Sequence, residues 1–174
     1  LGAYQAGVYE ALHEEGIEPD WIAGVSIGAI NAAIIAGNSR ARRLEKLREF
    51  WHRITERKVW HYTPDGDVYR QMRNATSSMM TMTMGLPGFF QPHSVNPWLS
   101  PTGAMTATSF YNSDPLKETL RDLADFSMIN DRSMRFAVGA VNVLSGNCIY
   151  FDNYQEEIVP EHIMASGALP PALP

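Results

Sequence analysis

The sequence predicts an α/β fold layered on a largely parallel sheet. Two observations carry that reading. A helical stretch, a short apolar strand and a second helical stretch follow one another within the first 37 residues, the order that builds parallel sheets with packed helices. The strand also gives way to the second helix through Gly24-Val25-Ser26-Ile27-Gly28, a G-x-S-x-G turn at a strand-to-helix junction.

The elements follow in order. Residues 3–16 read as a helix, with Tyr4, Val8, Ala11 and Leu12 at helical spacing and Gly16 as its stop. Residues 21–25 form a buried strand, and 27–37 an alanine-rich helix. Residues 40–58 form an amphipathic helix with Leu44, Leu47, Trp51 and Ile54 as its apolar stripe. That helix holds eight of the 14 Lys and Arg residues (Arg40, Arg42, Arg43, Lys46, Arg48, Arg53, Arg57 and Lys58). Only Glu45, Glu49 and Glu56 oppose them, so it presents either a solvated, ion-paired face or an attraction to anionic headgroups.

Residues 59–112 are the least regular. Met79, Met80, Met82 and Met84 precede Pro87-Gly88-Phe89-Phe90, Pro92, Pro97-Trp98 and Pro101. A Met- and Pro-rich apolar insertion suits a lid or cap over a hydrophobic pocket; a cap that packs only on its own core is the plainer alternative. A further helix starts at Asp114-Pro115, capped by Asp114 or Ser113, with Leu116, Leu120, Leu123 and Ala124 inward. A strand over 134–144 turns through Ser145-Gly146-Asn147 into a second at 148–151, and a last helix covers 160–168.

Bulk composition narrows the function. The chain has 174 residues, 45% hydrophobic and 19% charged, with net charge −5 and a sequence pI near 5.5. It is one globular domain by length, and its acidity argues against a nucleic-acid partner. Cys148 is the single cysteine, which fits a reducing, cytoplasmic compartment.

Ser26 is the candidate nucleophile. Side chains at Gly24 and Gly28 are expected to clash in the tight turn, and the following helix aims free N–H groups and its positive dipole end at a developing oxyanion. A base is harder to find. His13, His52, His61, His93 and His162 lack the sequence context of a triad partner. Asp65-Gly66-Asp67 after Thr63-Pro64 reads as a turn, and Asp152-Asn153 closes the hairpin. No Cys/His spacing suggests a metal.

Three segments resemble patatin-like phospholipases. Leu1-Gly2-Ala3-Tyr4-Gln5-Ala6-Gly7-Val8 looks like the tail of their glycine-rich oxyanion loop and first helix, with Gly2 as the loop remnant. Asp20-Trp21-Ile22-Ala23-Gly24-Val25-Ser26-Ile27-Gly28-Ala29-Ile30-Asn31-Ala32 resembles their nucleophile elbow. Ala165-Ser166-Gly167-Ala168-Leu169-Pro170 resembles the A-S-x-A-x-P segment that precedes their D-G-[GA] motif. The resemblance implies a three-layer α/β/α sandwich and a Ser–Asp dyad without a catalytic histidine, acting with no cofactor. It further implies a phospholipid or other acyl-ester substrate and peripheral contact with membranes. Because the chain opens on Leu1 and closes on a Pro-rich stretch, it is expected to be a partial, inactive piece of that domain. The dyad aspartate is expected beyond Pro174, and most of the oxyanion glycines before Leu1. An acyltransferase on the same elbow, a non-catalytic lipid-binding module and a Ser–His–Asp hydrolase are the alternatives.

Overall fold

The computed structural model describes residues 1–55, 81, 83–93 and 109–174. Helix α1 (Gly2–Glu14) leads to strand β1 (Trp21–Val25), helix α2 (Ile27–Ala36) and, after a 3-10 turn at Arg40–Arg42, helix α3 (Arg43–Thr55). Two short strands, β2 (Gln91–Pro92) and β3 (Tyr111–Asn112), precede helices α4 (Asp114–Leu123) and α5 (Phe126–Asn130). Strands β4 (Arg135–Val141) and β5 (Cys148–Asp152) and helix α6 (Pro160–Gly167) complete the order.

The central sheet is mixed, in the order β1-β4-β5. Strand β4 runs parallel to β1, with Ile22 opposite Phe136 and Val25 opposite Gly139. It runs antiparallel to β5, with Gly139 opposite Tyr150. The α/β character is as expected, and the described sheet has one parallel and one antiparallel pair, because β4 and β5 are joined by a hairpin rather than a helical crossover.

Helix α2 is the centre of the core. Eight of its ten residues, Ala29 to Ala36, are buried, and they meet Phe136, Val138, Leu47, Phe50, Leu120, Ile129 and Ile163 in one cluster. Full burial of each large aliphatic here contributes about 2 kcal/mol. Helices α2 and α6 both pack on β4. The opposite face of the sheet leaves Trp21, Val25 and Tyr150 more than half exposed.

Several local expectations change. The apolar repeat of α1 does not face the core: Tyr4, Val8 and Leu12 are exposed, and the helix packs through Gly2, Ala6 and Tyr9. Gly16, at φ 75°, does stop it. Its N–H donates to the His13 carbonyl (3.0 Å) and that of Ile17 to the Leu12 carbonyl (2.8 Å), the paired bonds of a left-handed helix cap. In α3, Phe50 joins the stripe as its most buried member, while Leu44 and Trp51 are half-buried. Ser113 takes the N-cap position of α4, as expected, but its side chain makes no cap hydrogen bond; the Asn112 side chain instead accepts from the Asp114 N–H at 2.8 Å. Strand β4 ends three residues early because the Asn142 side chain accepts from the Leu144 and Ser145 N–H groups and starts the turn.

Glu18 ties α1 to α3. Its carboxylate accepts from Tyr9 Oη (2.8 Å) and Arg43 (2.6 Å), and pairs with His13. Burial, reinforced by Glu18, pushes the Tyr9 hydroxyl up to about 12. Most of the Met/Pro-rich insertion, including Met79, Met80, Met82, Pro97, Trp98 and Pro101, lies outside the described residues, as do His61, Asp65, Asp67, Arg57 and Lys58. Two of its described stretches, 83–93 and 109–112, meet as the β2–β3 pair. Leu86 and Phe89 pack against the core, and Thr119 of α4 donates to the Gly88 carbonyl at 2.8 Å. Met84 is exposed.

Candidate active site

Ser26 stands between the last residue of β1 and the first of α2, exposed, with φ 55° and ψ −125°. An L-residue rarely adopts a positive φ, and this conformation stores about 1–3 kcal/mol. The surroundings hold it there. Its carbonyl accepts from the Ala29 N–H (2.9 Å) and the Ile30 N–H (3.3 Å), which starts α2 tightly after the turn. The N–H groups of Ile27 and Gly28, ahead of these two, have no carbonyl one turn back in α2 to bond and lie beside the serine, at the positive end of the helix dipole.

The two elbow glycines are unequal. A Cβ on Gly24 would lie 2.4 Å from the Gly28 carbonyl, so the strand and helix touch here and only glycine fits. A Cβ on Gly28 would meet nothing closer than the Gln5 amide, at 3.6 Å. The expected clash therefore holds for Gly24 and is absent at Gly28, because one close backbone contact, not two, makes the turn.

Two further side chains complete the elbow. The Ser26 N–H donates to Ser166 Oγ at 2.8 Å, and Ser166 Oγ donates to the Gly139 carbonyl at 2.5 Å. One turn below, Asn31 is 4% exposed. Its amide donates to the Gly2 carbonyl (3.0 Å) and accepts from Trp51 Nε1 (3.1 Å), with Gln5 Oε1 at 3.4 Å. Gly2 sits against this group so closely that a Cβ would lie 2.5 Å from Ile27 and 2.7 Å from the Trp51 ring. The start of α1 is thus held directly beneath the elbow. Ser166 and Asn31 were visible in the sequence only inside the resembling segments. A lone Asn within an otherwise apolar helix is a usable signal, because a buried amide needs partners.

The hydroxyl of Ser26 is hydrogen-bonded to no histidine or carboxylate among the described residues. His13 pairs with Glu18, His93 Nε2 lies 3.4 Å from Ser109 Oγ, and His162 stacks on Phe151 with ring centroids 4.1 Å apart. Asp152 is 5% exposed and gripped by Arg135 at 2.7 and 3.0 Å. Those bonds hold its carboxyl below the usual aspartate range. Asn153, read as a simple turn residue, is a buried hub: its side chain accepts from the Phe136 N–H and donates to the Ile129 and Met134 carbonyls.

A groove of about 660 Å³ runs up to the elbow, between α1 and the β1 edge, lined by Val8, Leu12, Ile22, Val25, Gly28 and Tyr150. Among the described residues, no group of three or more His, Cys, Asp or Glu side chains is placed to hold a metal ion. No described helix is long and apolar enough to cross a membrane.

A strained serine thus joins the end of a sheet strand to the start of a helix, the geometry that the G-x-S-x-G spacing predicts. The patatin-like phospholipase family model matches residues 1–174, so the chain belongs to that family. This sets it broadly among lipid acyl hydrolases, with lipid esters as substrates. No curated protein matches it, and no solved structure does.

Proposed function

We propose that this protein is a serine acyl-ester hydrolase that works through a covalent acyl-enzyme on Ser26. The observation that carries the reading is the backbone of Ser26, with φ 55° and Gly24 packed on the Gly28 carbonyl. Such strain is kept where it serves chemistry. Ser26 Oγ attacks the ester carbonyl and its proton passes to a base. The tetrahedral oxyanion then faces the free N–H groups at the start of α2; Gly2, expected as a loop remnant, is the first residue of α1 and packs against Ile27 beside them. Collapse expels the alcohol, which takes up a proton, and water releases the fatty acid from Ser26.

The base in this reading is the aspartate of the family's D-G-[GA] motif, which follows the A-S-x-A-x-P segment. The engagement of His13, His93 and His162 elsewhere supports a dyad over a Ser–His–Asp triad. A three-layer sandwich is proposed with it, and residues 59–112 as a lid or cap insertion. Electrostatic contact between α3 and anionic headgroups gains little support. Of the six described cations over residues 40–55, Arg40, Arg43, Lys46, Arg48 and Arg53 are ion-paired.

The test is turnover by the full-length protein. Hydrolysis of short-chain acyl esters is expected to fall by at least about a thousandfold in Ser26→Ala, with the melting temperature unchanged. Retained hydrolysis in Ser26→Ala would sink the proposal. Transfer of the acyl group to an added alcohol in preference to water would identify an acyltransferase on the same elbow. Lipid binding without turnover would identify a binding module.

A further inference from the structure

We infer that Ser166 is a positioning residue for the Ser26 nucleophile, holding the elbow in its strained conformation through the Ser26 amide. The inference rests on the reading of Ser26 as the nucleophile.

Ser166 sits in the last turn of α6, half-buried. That helix is itself fixed. Ile163 is fully buried in the core, His162 stacks on Phe151, and Glu161 pairs with Lys117 of α4 at 2.5 Å. Ser166 Oγ uses its proton on the Gly139 carbonyl and its lone pair on the Ser26 N–H. Gly139 and Val25 are opposite one another in the parallel β1–β4 ladder. The hydroxyl therefore bridges two adjacent strands at their carboxyl ends, where the elbow leaves the sheet.

The geometry explains why this matters to the nucleophile. Ser26 relaxes its strain by returning φ from 55° to a negative value. That rotation swings the Val25–Ser26 peptide and turns its N–H away from Ser166. The bond from the N–H to Ser166 Oγ opposes this movement, so losing the acceptor frees the peptide to rotate and the Ser26 hydroxyl to leave its attacking position. The same bond occupies the Ser26 N–H, which leaves oxyanion binding to other N–H groups of the elbow.

In the full-length protein, Ser166→Ala is expected to slow fluorophosphonate labelling of Ser26 about tenfold, the worth of one hydrogen bond of ordinary net strength. The same loss is expected in kcat for a soluble ester, with KM unchanged. Ser166→Thr, which keeps the hydroxyl, restores both. Amide exchange at Ser26 is expected to accelerate in Ser166→Ala while that of Ala29, inside α2, does not. Labelling of Ser166→Ala at the wild-type rate, or unchanged exchange at Ser26, would overturn the inference while leaving Ser26 as nucleophile. A wild-type protein that takes no label at Ser26 would instead remove the catalytic reading and this inference with it.

Discussion

Two buried asparagines, at opposite ends of the chain, hold the molecule in different ways. Asn153 follows β5 and makes three side-chain bonds, all to backbone, that lock the start of β4 to the end of α5. Asn31 lies in α2 and bonds outward to two other helices: to the Gly2 carbonyl and Gln5 side chain of α1, and to the Trp51 indole of α3. The first closes a local knot. The second brings the start of α1 and the face of α3 together beneath Ser26. Similar burial therefore serves two ends: Asn153 closes part of the fold on itself, while Asn31 ties α1 and α3 to the helix that follows Ser26.

This contrast can be broken experimentally, starting with the largest effect. Gly24→Ala forces a methyl group to within 2.4 Å of the Gly28 carbonyl. A cost above about 3 kcal/mol is expected, measured by denaturant unfolding, together with loss of fluorophosphonate labelling. Gly28→Ala is the control, since its new methyl meets only the Gln5 amide at ordinary contact distance; it is expected to stay within about 1 kcal/mol of wild type.

Asn153→Ala strands buried backbone groups and is expected to cost about 3 kcal/mol without changing the labelling rate of the protein that remains folded. Asn31→Ala is expected to cost less, about 2 kcal/mol, yet to slow labelling. Equal effects of the two variants on labelling rate would erase the distinction between them.

The smallest effect is in pH. Asp152 is held below its ordinary range by Arg135. A depressed carboxyl contributes stability above its unfolded pKa of about 3.9, lost as pH falls through the folded value. The stability difference between wild type and Arg135→Met is therefore expected to be constant near neutral pH and to shrink below about pH 4. A difference that stays constant down to pH 2 would contradict the pairing.

Much of this was legible in the chain. The apolar run Trp21-Ile22-Ala23 into Gly24-Val25-Ser26 marks both the strand and the turn, because backbone sterics act locally. The stop at Gly16 and the inward face of α4 are legible for the same reason. Three things were not. Tyr4, Val8 and Leu12 form a helical repeat that faces outward, since periodicity finds a stripe but not what covers it. The α5 turn, Phe126–Asn130, is too short to show a period, although Asp125 accepts from the Ser127 N–H at its start. Ser166 lies 140 positions from Ser26, and no local pattern links residues that only the sheet brings together.

The most direct test of the account is the site of covalent modification. The full-length protein would be treated with a fluorophosphonate, digested, and its peptides read by mass spectrometry. One adduct is expected, on Ser26, and it should disappear in Ser26→Ala. An adduct on a different residue, or none from a protein that still hydrolyses lipid esters, would contradict the assignment of Ser26 as nucleophile.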